Sequence, residues 1–356
     1  MKTYTLAVIG CGFGGGLSMD GASRSPRFEL VAATDLREEA RRAAEAKFPG
    51  LRTFATVEEM MAACPAEVVC VSTYPPSHEE LTMEVLRHQP RGLLVEKPLG
   101  HTVASGERIL GAIREAGVPV AVPHGLLTHP TGVAVLNHLR AGAIGTLRTF
   151  EMQCHSWDLM NAGIHWLQYF LTCLGEDAVT AVAASVDTAS QTFRDGLQVE
   201  TNAYTVVETK KGVRGYFNTG DFVVCSDPGK DTFFRLIGDR GQIEFYGWET
   251  RYRLLNRDHP EGMEFEAEAL PAPGHQGHLE SLAAQIDEGR PDYRVAETSL
   301  EALRIIEAAY ASGRTGQRIA YPFGPEAPLP PLPSWEPGQP HRPEMGGQDG
   351  KRLYRG

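Results

Sequence analysis

The first third of the chain alternates short apolar runs with stretches whose apolar residues recur at helical spacing. Thr5–Ile9, Glu29–Thr34, Glu67–Ser72, Leu93–Val95 and Val118–Val122 are rich in Val, Ile, Leu and Ala and read as strands. Between them, Glu38–Lys47, Val57–Ala63, His78–His88 and Ala104–Ala116 read as helices. Strands separated by helices of this length run parallel through right-handed crossovers. The pattern predicts a doubly wound α/β domain over residues 1–122, with its ligand crevice at the carboxyl ends of the strands.

After about residue 145 the pattern changes. Leu147–Cys154, Val179–Asp187, Ala203–Glu208, Val213–Asn218, Thr232–Ile237 and Gln242–Tyr246 read as strands joined mostly without helices. Lys210-Lys211-Gly212 and Gly238-Asp239-Arg240-Gly241 read as hairpin turns. The strand Val213–Asn218 sends Val213, Gly215 and Phe217 to one face and Arg214, Tyr216 and Asn218 to the other, which fits a sheet buried on one side. A helix from about Asn161 to Leu174 interrupts the strands, and helices His278–Glu288 and Thr298–Ser312 close the fold. In the last of these Leu300, Leu303, Ile306 and Tyr310 share a core face. Residues 123–323 are thus expected to form an α+β domain with a mostly antiparallel sheet, and residues 324–356 a Pro/Gly-rich extended tail.

At 356 residues the chain can hold two cores. The formal charge of −11 opposes non-specific contact with nucleic acid. No apolar run is long enough to span a bilayer, and the N-terminal run passes straight into a glycine turn without a cleavage site. Cys11, Cys64, Cys70, Cys154, Cys173 and Cys225 lack any Cys-x-x-Cys spacing and read as buried free thiols. A soluble cytoplasmic protein is expected.

The first strand opens into Gly10-Cys-Gly12-Phe-Gly-Gly15, and Asp35 stands at the end of the second. Each part has a job in holding a dinucleotide. Gly10 makes the tight turn, Gly12 lets the backbone approach a pyrophosphate, and Gly15 lets the following helix pack closely with its N–H groups facing the phosphates. Asp35 accepts hydrogen bonds from the adenosine ribose, which makes this a Rossmann-type site. A carboxylate there repels the 2′-phosphate of NADP, so NAD is the expected cofactor. Arg37 either opens a helix into solvent or cradles that phosphate, which keeps NADP open. Glu96-Lys97-Pro98 follows a buried strand at the same sheet edge, where a lysine can stabilise charge developing on a substrate oxygen. Ser72-Thr-Tyr-Pro-Pro-Ser-His78 ends the strand upstream; His78 either touches the cofactor or opens the next helix behind a Ser77 cap. His275-Gln-Gly-His278 and the other scattered histidines form no convincing metal-ligand set and read as solvated loop and helix-entry residues.

These motifs, in this order, resemble the glucose–fructose oxidoreductase / inositol dehydrogenase / rhizopine catabolism (Gfo/Idh/MocA) family. The likeness continues through Ala141-Gly-Ala-Ile-Gly-Thr146, Gly163-Ile-His165 and the segment from Glu301 to Gly316, spanning about residues 4–323. It implies an NAD(P)-dependent dehydrogenase of sugars or cyclitols, with a homodimer or homotetramer formed through the C-terminal sheet. By the same resemblance Lys97 orients the reacting hydroxyl, His165 moves its proton, and the Lys97–Pro98 peptide is cis. Cofactor contacts fall to Gly10, Gly12, Phe13, Gly15, Asp35, Arg37, Thr73, His78, Glu96 and Lys97.

The chain departs from the family near the histidine. Asn161 stands where relatives carry an aspartate, and Gln168 replaces a second one. The connection His155-Ser-Trp-Asp-Leu-Met160 is short, and Asp158 either substitutes for the missing carboxylate or caps the helix. His155, Trp157, Asp158, Asn161 and Trp166 are candidate substrate contacts, with Trp166 equally suited to core packing. His124 and His129 are expected on the rim of the pocket. Two further readings stay open: an NAD-dependent enzyme that cleaves glycosides by transient oxidation and elimination, and a non-catalytic dinucleotide or sugar sensor.

Overall fold

The computed structural model describes residues 2–187, 192–225, 227 and 229–322, and of 192–193 and 348–349 the backbone alone. Apart from that last pair, the proline-rich tail expected over 324–356 lies outside the described residues. The chain divides into two compact units, one of Met1–Thr128 with Pro271–Leu300 and the other of His129–Leu270 with Glu301–Gly356.

The first unit carries a six-stranded, all-parallel sheet of β1 (Tyr4–Ile9), β2 (Phe28–Thr34), β3 (Arg52–Phe54), β4 (Val68–Val71), β5 (Gly92–Val95) and β6 (Val120–Ala121). Its order is β3-β2-β1-β4-β5-β6. The winding reverses between β1 and β4, which puts the ligand crevice beyond their carboxyl ends. The helices that alternate with these strands are α1 (Phe13–Arg24), α2 (Glu38–Lys47), α3 (Val57–Ala63), α4 (His78–Leu86) and α5 (Val103–Glu115). Strand alternation sorts the core into two layers. Ala7, Ile9, Val69, Val71, Leu93 and Val95 pack toward Met60, Val85, Ile109 and Ile113. Leu6, Val8, Val68, Cys70 and Leu94 pack toward Met19 and Ala22 of α1 and toward Leu279, Leu282 and Ile286.

Those last three residues belong to a helix far downstream in sequence, α8 (His275–Glu288). Its N-cap is Gly274, at φ +61°. The close approach of α8 to the first sheet and to α1 needs small residues opposite it. A Cβ on Gly92 would lie 2.8 Å from Ile286 Cδ1, and one on Gly21 would lie 2.8 Å from the Gln276 backbone nitrogen. The helix expected over His278–Glu288 therefore starts three residues earlier and packs within the first unit.

In the second unit α6 (Pro130–Arg140) precedes β7 (Leu147–His155), and α7 (Ile164–Leu174) follows it. With β7, one sheet contains β8 (Val179–Val186), β11 (Asn202–Thr209), β12 (Arg214–Gly220), β13 (Thr232–Gly238), β14 (Gly241–Tyr246), β15 (Arg251–Asn256), β16 (Met263–Glu266) and β17 (Ile319–Ala320). The nine strands have the order β16-β15-β14-β13-β7-β12-β11-β8-β17. All neighbours are antiparallel except β12 and β7. The short strands β9 (Thr192–Arg194), β10 (Leu197–Val199) and β18 (Gln348–Asp349) form a separate three-stranded sheet. Both expected hairpin turns are present, β11–β12 and β13–β14. Strands β3, β9, β10, β15, β16, β17 and β18 go beyond those that the apolar pattern predicts.

One face of the large sheet packs aromatic rings against α7. Phe150 lies 5.2 Å from Phe170, Trp166 5.3 Å from Phe234, and Phe234 stacks on Phe245 at 4.6 Å between ring centroids. Val213 and Phe217 are buried as the alternation predicts, and a Cβ on Gly215 would meet the Phe170 ring at 3.0 Å. The opposite face carries paired charges, with Arg235 on Glu244 at 2.7 Å and on Glu151 at 3.3 Å. In helix α9 (Arg294–Thr315) Leu300, Leu303, Ile306 and Tyr310 are all buried, and the division between the units falls inside this helix.

Candidate functional site

In the first unit the glycine loop has the shape that a pyrophosphate needs. Gly10 sits at φ +97°, and a Cβ there would lie 2.5 Å from the Ser72 carbonyl oxygen. At Gly15 a Cβ would fall 1.8 Å from the Gly10 carbonyl oxygen, so no side chain fits. Gly12, the N-cap of α1, has nothing within 4 Å of its ideal Cβ position, and no side chain caps the helix. Open space beside uncapped N–H groups fits an anionic group. Phe13 begins the helix and is exposed.

Asp35 ties this loop to β2. Its carboxylate accepts the Cys11 N–H at 2.9 Å, the Arg37 N–H at 2.9 Å and Arg37 Nε at 3.3 Å. Burial works to raise its pKa, but the hydrogen bonds from Arg37 and Cys11 outweigh it and hold the carboxyl below its ordinary value. Arg37 is thus paired with Asp35 rather than solvated alone. These residues fit the phosphates and ribose of a dinucleotide.

At the adjoining edge Glu96 is buried. Its Oε1 lies 2.7 Å from His275 Nε2, and its Oε2 accepts the Lys97 N–H at 3.2 Å. A Cβ on Gly14 would lie 3.4 Å from the Glu96 carboxylate. Burial pushes the Glu96 pKa up, while the His275 hydrogen bond and the nearby charge of His275 and Lys97 bring it net below the usual range. Lys97 is half-buried, and the Lys97–Pro98 peptide is cis. The His78 ring lies between the Thr73 and Pro98 carbonyl oxygens, at 2.9 and 3.0 Å, and tethers the two loops. Ser77 makes no cap hydrogen bond to α4; its hydroxyl bonds Thr73 Oγ1 at 2.7 Å and the Tyr74 carbonyl at 2.9 Å.

The histidines expected in solvent are corrected by burial. His275 is paired with Glu96, and His278 is buried with its ring nitrogen 3.1 Å from the His124 carbonyl oxygen; His124, expected on the pocket rim, is itself buried, 2.9 Å from the Ser299 hydroxyl. Desolvation lowers His278 to about 4. The thiols are likewise less uniform than expected: Cys70, Cys154 and Cys225 are buried, whereas Cys11, Cys64 and Cys173 are half-buried.

In the second unit the chain leaves β7 at His155, whose Nδ1 lies 2.6 Å from the Val223 carbonyl oxygen. Ser156 follows at φ +64°, and then Trp157, about one-third exposed. A single π-helical turn, Leu159–Gly163, leads into α7, so the helix proper begins at Ile164 rather than at Asn161. Asp158 caps that turn. Its carboxylate accepts the Asn161 N–H at 2.8 Å, the Asn161 amide at 3.1 and 3.2 Å, and Arg194 at 3.2 Å. Arg194 also binds Asp221 at 2.9 Å. Close by, buried Glu200 accepts the Leu159 N–H at 2.7 Å and lies 2.7 Å from the Tyr310 hydroxyl. Burial and the nearby Asp158 push Glu200 up to about 8. The raised value favours the neutral carboxyl and limits the negative charge that Glu200 adds beside Asp158.

His165 is half-buried on the first turn of α7, beside buried Trp166 at 5.7 Å. Trp248 packs edge-on to His165 at 6.4 Å, edge-on to His129 at 5.8 Å, and tilted against Trp166 at 5.6 Å. His129 is half-buried, and desolvation lowers its pKa. Trp248 has φ +72°, a backbone state that costs a bulky residue about 1–3 kcal/mol. No periodicity marks a lone tryptophan in a turn between two strands, so the sequence pattern gives no sign of it.

Two family models match the chain. Residues 4–124 match the NAD-binding Rossmann fold of the Gfo/Idh/MocA oxidoreductase family, and residues 158–321 match its C-terminal alpha/beta domain. The chain belongs to this family. A relative, D-apiose dehydrogenase of Paraburkholderia graminis, is 32% identical over 146 residues, which cover 41% of this chain and 39% of that enzyme. The match therefore spans about two-fifths of the relative's length. Levoglucosan dehydrogenase in complex with NADH and levoglucosan shares the fold at a TM-score of 0.78 and 16% identity, covering 90% of this chain and 100% of that one. GenD2 from gentamicin A biosynthesis, in complex with NAD, matches at a TM-score of 0.75 and 21% identity over 90% and 97% of the two chains. Among the described residues no helix of this family member is long and apolar enough to cross a membrane.

Proposed function

We propose that the protein is an NAD-dependent dehydrogenase acting on a secondary alcohol of a sugar, cyclitol or sugar derivative. The observation that carries this reading is the placement of Lys97 just past the end of β5, at the sheet edge that also holds the glycine loop and Asp35. When bound, the nicotinamide supplies the hydride acceptor or donor. Gly10, Gly12, Phe13 and Gly15 border the phosphates, and Asp35, paired with Arg37, holds the ribose, its carboxylate favouring NAD over NADP. Thr73, His78 and Glu96 keep the neighbouring loops in place. Lys97 donates to the reacting oxygen, and His165 takes its proton in oxidation and returns it in reduction. Asn161, held by Asp158, bonds a neighbouring hydroxyl, with His155, Trp157 and Trp166 shaping the rest of the substrate site.

The test is NADH absorbance with NAD and a panel of sugars, cyclitols and glycosides. Steady NADH production, lost in Lys97→Ala and His165→Ala, supports the assignment. Substrate consumed without net NADH favours transient oxidation and elimination, and binding without turnover favours a sensor. Asp35→Ala is expected to weaken NADH binding about 10- to 100-fold, the worth of hydrogen bonds to a charged group, read by fluorescence titration.

A further inference from the structure

Trp248 combines features that folding alone does not account for. A bulky side chain occupies a left-handed backbone position and remains 51% exposed, so burial does not compensate its conformation. Its loop is nonetheless fixed. Gly247 N–H donates to the Thr232 carbonyl at 2.9 Å, Glu249 N–H to the Tyr246 carbonyl at 3.2 Å, and Thr131 Oγ1 to the Glu249 carbonyl at 2.5 Å. Lys230 and Glu249 form an ion pair at 2.5 Å. The three ring contacts to His129, His165 and Trp166 set the plane of the indole.

The same end of the second sheet gathers other exposed apolar side chains. Ser156 N–H donates to the Gly220 carbonyl and His155 N–H to the Asp231 carbonyl, which join the ends of β7 and β12 to the start of β13. Trp157, Phe222 and Val224 project there, 36, 63 and 83% exposed. An immobilised aromatic face among imidazole groups matches a ring with a C–H face and hydroxyl edges. The negative face of the indole attracts the polarised C–H groups, and the half-buried His165 imidazole edge-on to it meets a hydroxyl, while His129, whose ring bonds the Trp248 backbone, steadies the loop.

We propose that Trp248 is the stacking platform for the carbohydrate ring and a specificity-determining residue of this site. The inference rests on the dehydrogenase reading and names a binding residue within it. The experiment uses the full chain labelled with 5-fluorotryptophan, the Trp248 resonance being assigned from Trp248→Phe. D-glucose, D-xylose, levoglucosan and myo-inositol are added with NADH present, and turnover with NAD is measured in parallel. A shift of the Trp248 resonance is expected, with KM raised at least tenfold in Trp248→Gly, partial rescue in Trp248→Phe, and NADH affinity unchanged. Glycine also suits the left-handed backbone at this position, so the Trp248→Gly variant folds.

Oxidation of a sugar with wild-type KM in Trp248→Gly overturns the platform and leaves the dehydrogenase intact. A Trp248 shift with no NADH formed supports the platform and counts against the dehydrogenase. No shift with any of the four probes overturns the platform. A change of oligomeric mass in Trp248→Gly, without loss of sugar binding, assigns the ring to a contact between subunits and overturns it as well.

Discussion

The two units build their candidate sites from different materials. In the first, the backbone supplies most of the site: glycines at forced positions, a helix end without a cap, and a carboxylate bonded to main-chain N–H groups. In the second, side chains on irregular segments supply it: a π-helical turn, Ser156 and Trp248 at positive φ, and a buried network of Asp158, Arg194, Asp221 and Glu200. A backbone site tolerates change wherever the main chain is undisturbed. A side-chain site depends on compensation between distant residues.

The sharpest test of this contrast is Gly15→Val. With the Cβ position 1.8 Å from a carbonyl oxygen, the variant is expected to lose about 5 kcal/mol or more, beyond the usual range of single substitutions, with NADH binding lost in any soluble fraction. Urea unfolding and NADH titration measure both. Next comes Arg194→Met, which leaves Asp158 and Asp221 buried without their cation. It should cost about 3–5 kcal/mol in urea unfolding. Wild-type stability there would remove the network from the account of the second site.

A smaller effect, with a definite sign, belongs to Glu200→Gln. The folded pKa of Glu200 lies above its ordinary value of 4.5, at about 8. The stability gained from holding the neutral carboxyl is complete below the ordinary value and is lost as pH rises through about 8. Melting scans should therefore show the wild type falling relative to Glu200→Gln from about pH 5 to about pH 9, at about 2–4 °C per kcal/mol. Parallel curves would contradict the buried neutral carboxyl. Smallest is Gly16→Ala, one residue beyond the forced glycine, where an added Cβ would meet nothing within 4 Å. It should gain about 0.5–1 kcal/mol from helix propensity, seen as a small rise in melting temperature.

The same contrast governs what can be read in the sequence. Helix α3 runs over Val57–Ala63 as expected, because Val57, Met60 and Met61 face the core and the Thr56 side chain accepts the Glu59 N–H. The glycine loop and the first parallel strands are legible for the same reason: local geometry demands particular residues. Strands β15 and β16 are not, because Arg251, Arg253, Glu264 and Glu266 dilute their apolar character. Periodicity shows that His278–Glu288 has an apolar face but not which sheet that face covers. The pairing of Asp158 with Arg194, 36 residues apart, leaves no local pattern at all. Nor does Trp248, whose role depends on backbone shape and ring neighbours.

The return of α8 to the first sheet has a consequence for biosynthesis. When residue 128 leaves the ribosome, Leu6, Val8 and Leu94 still lack the Leu279, Leu282 and Ile286 side chains that cover them. At a synthesis rate of about 5–20 residues per second, roughly 10–30 s pass before α8 is complete. For that interval the nascent chain carries an unfinished apolar face, a natural substrate for chaperones. The unit that begins at the N-terminus is completed only after most of the other has been made.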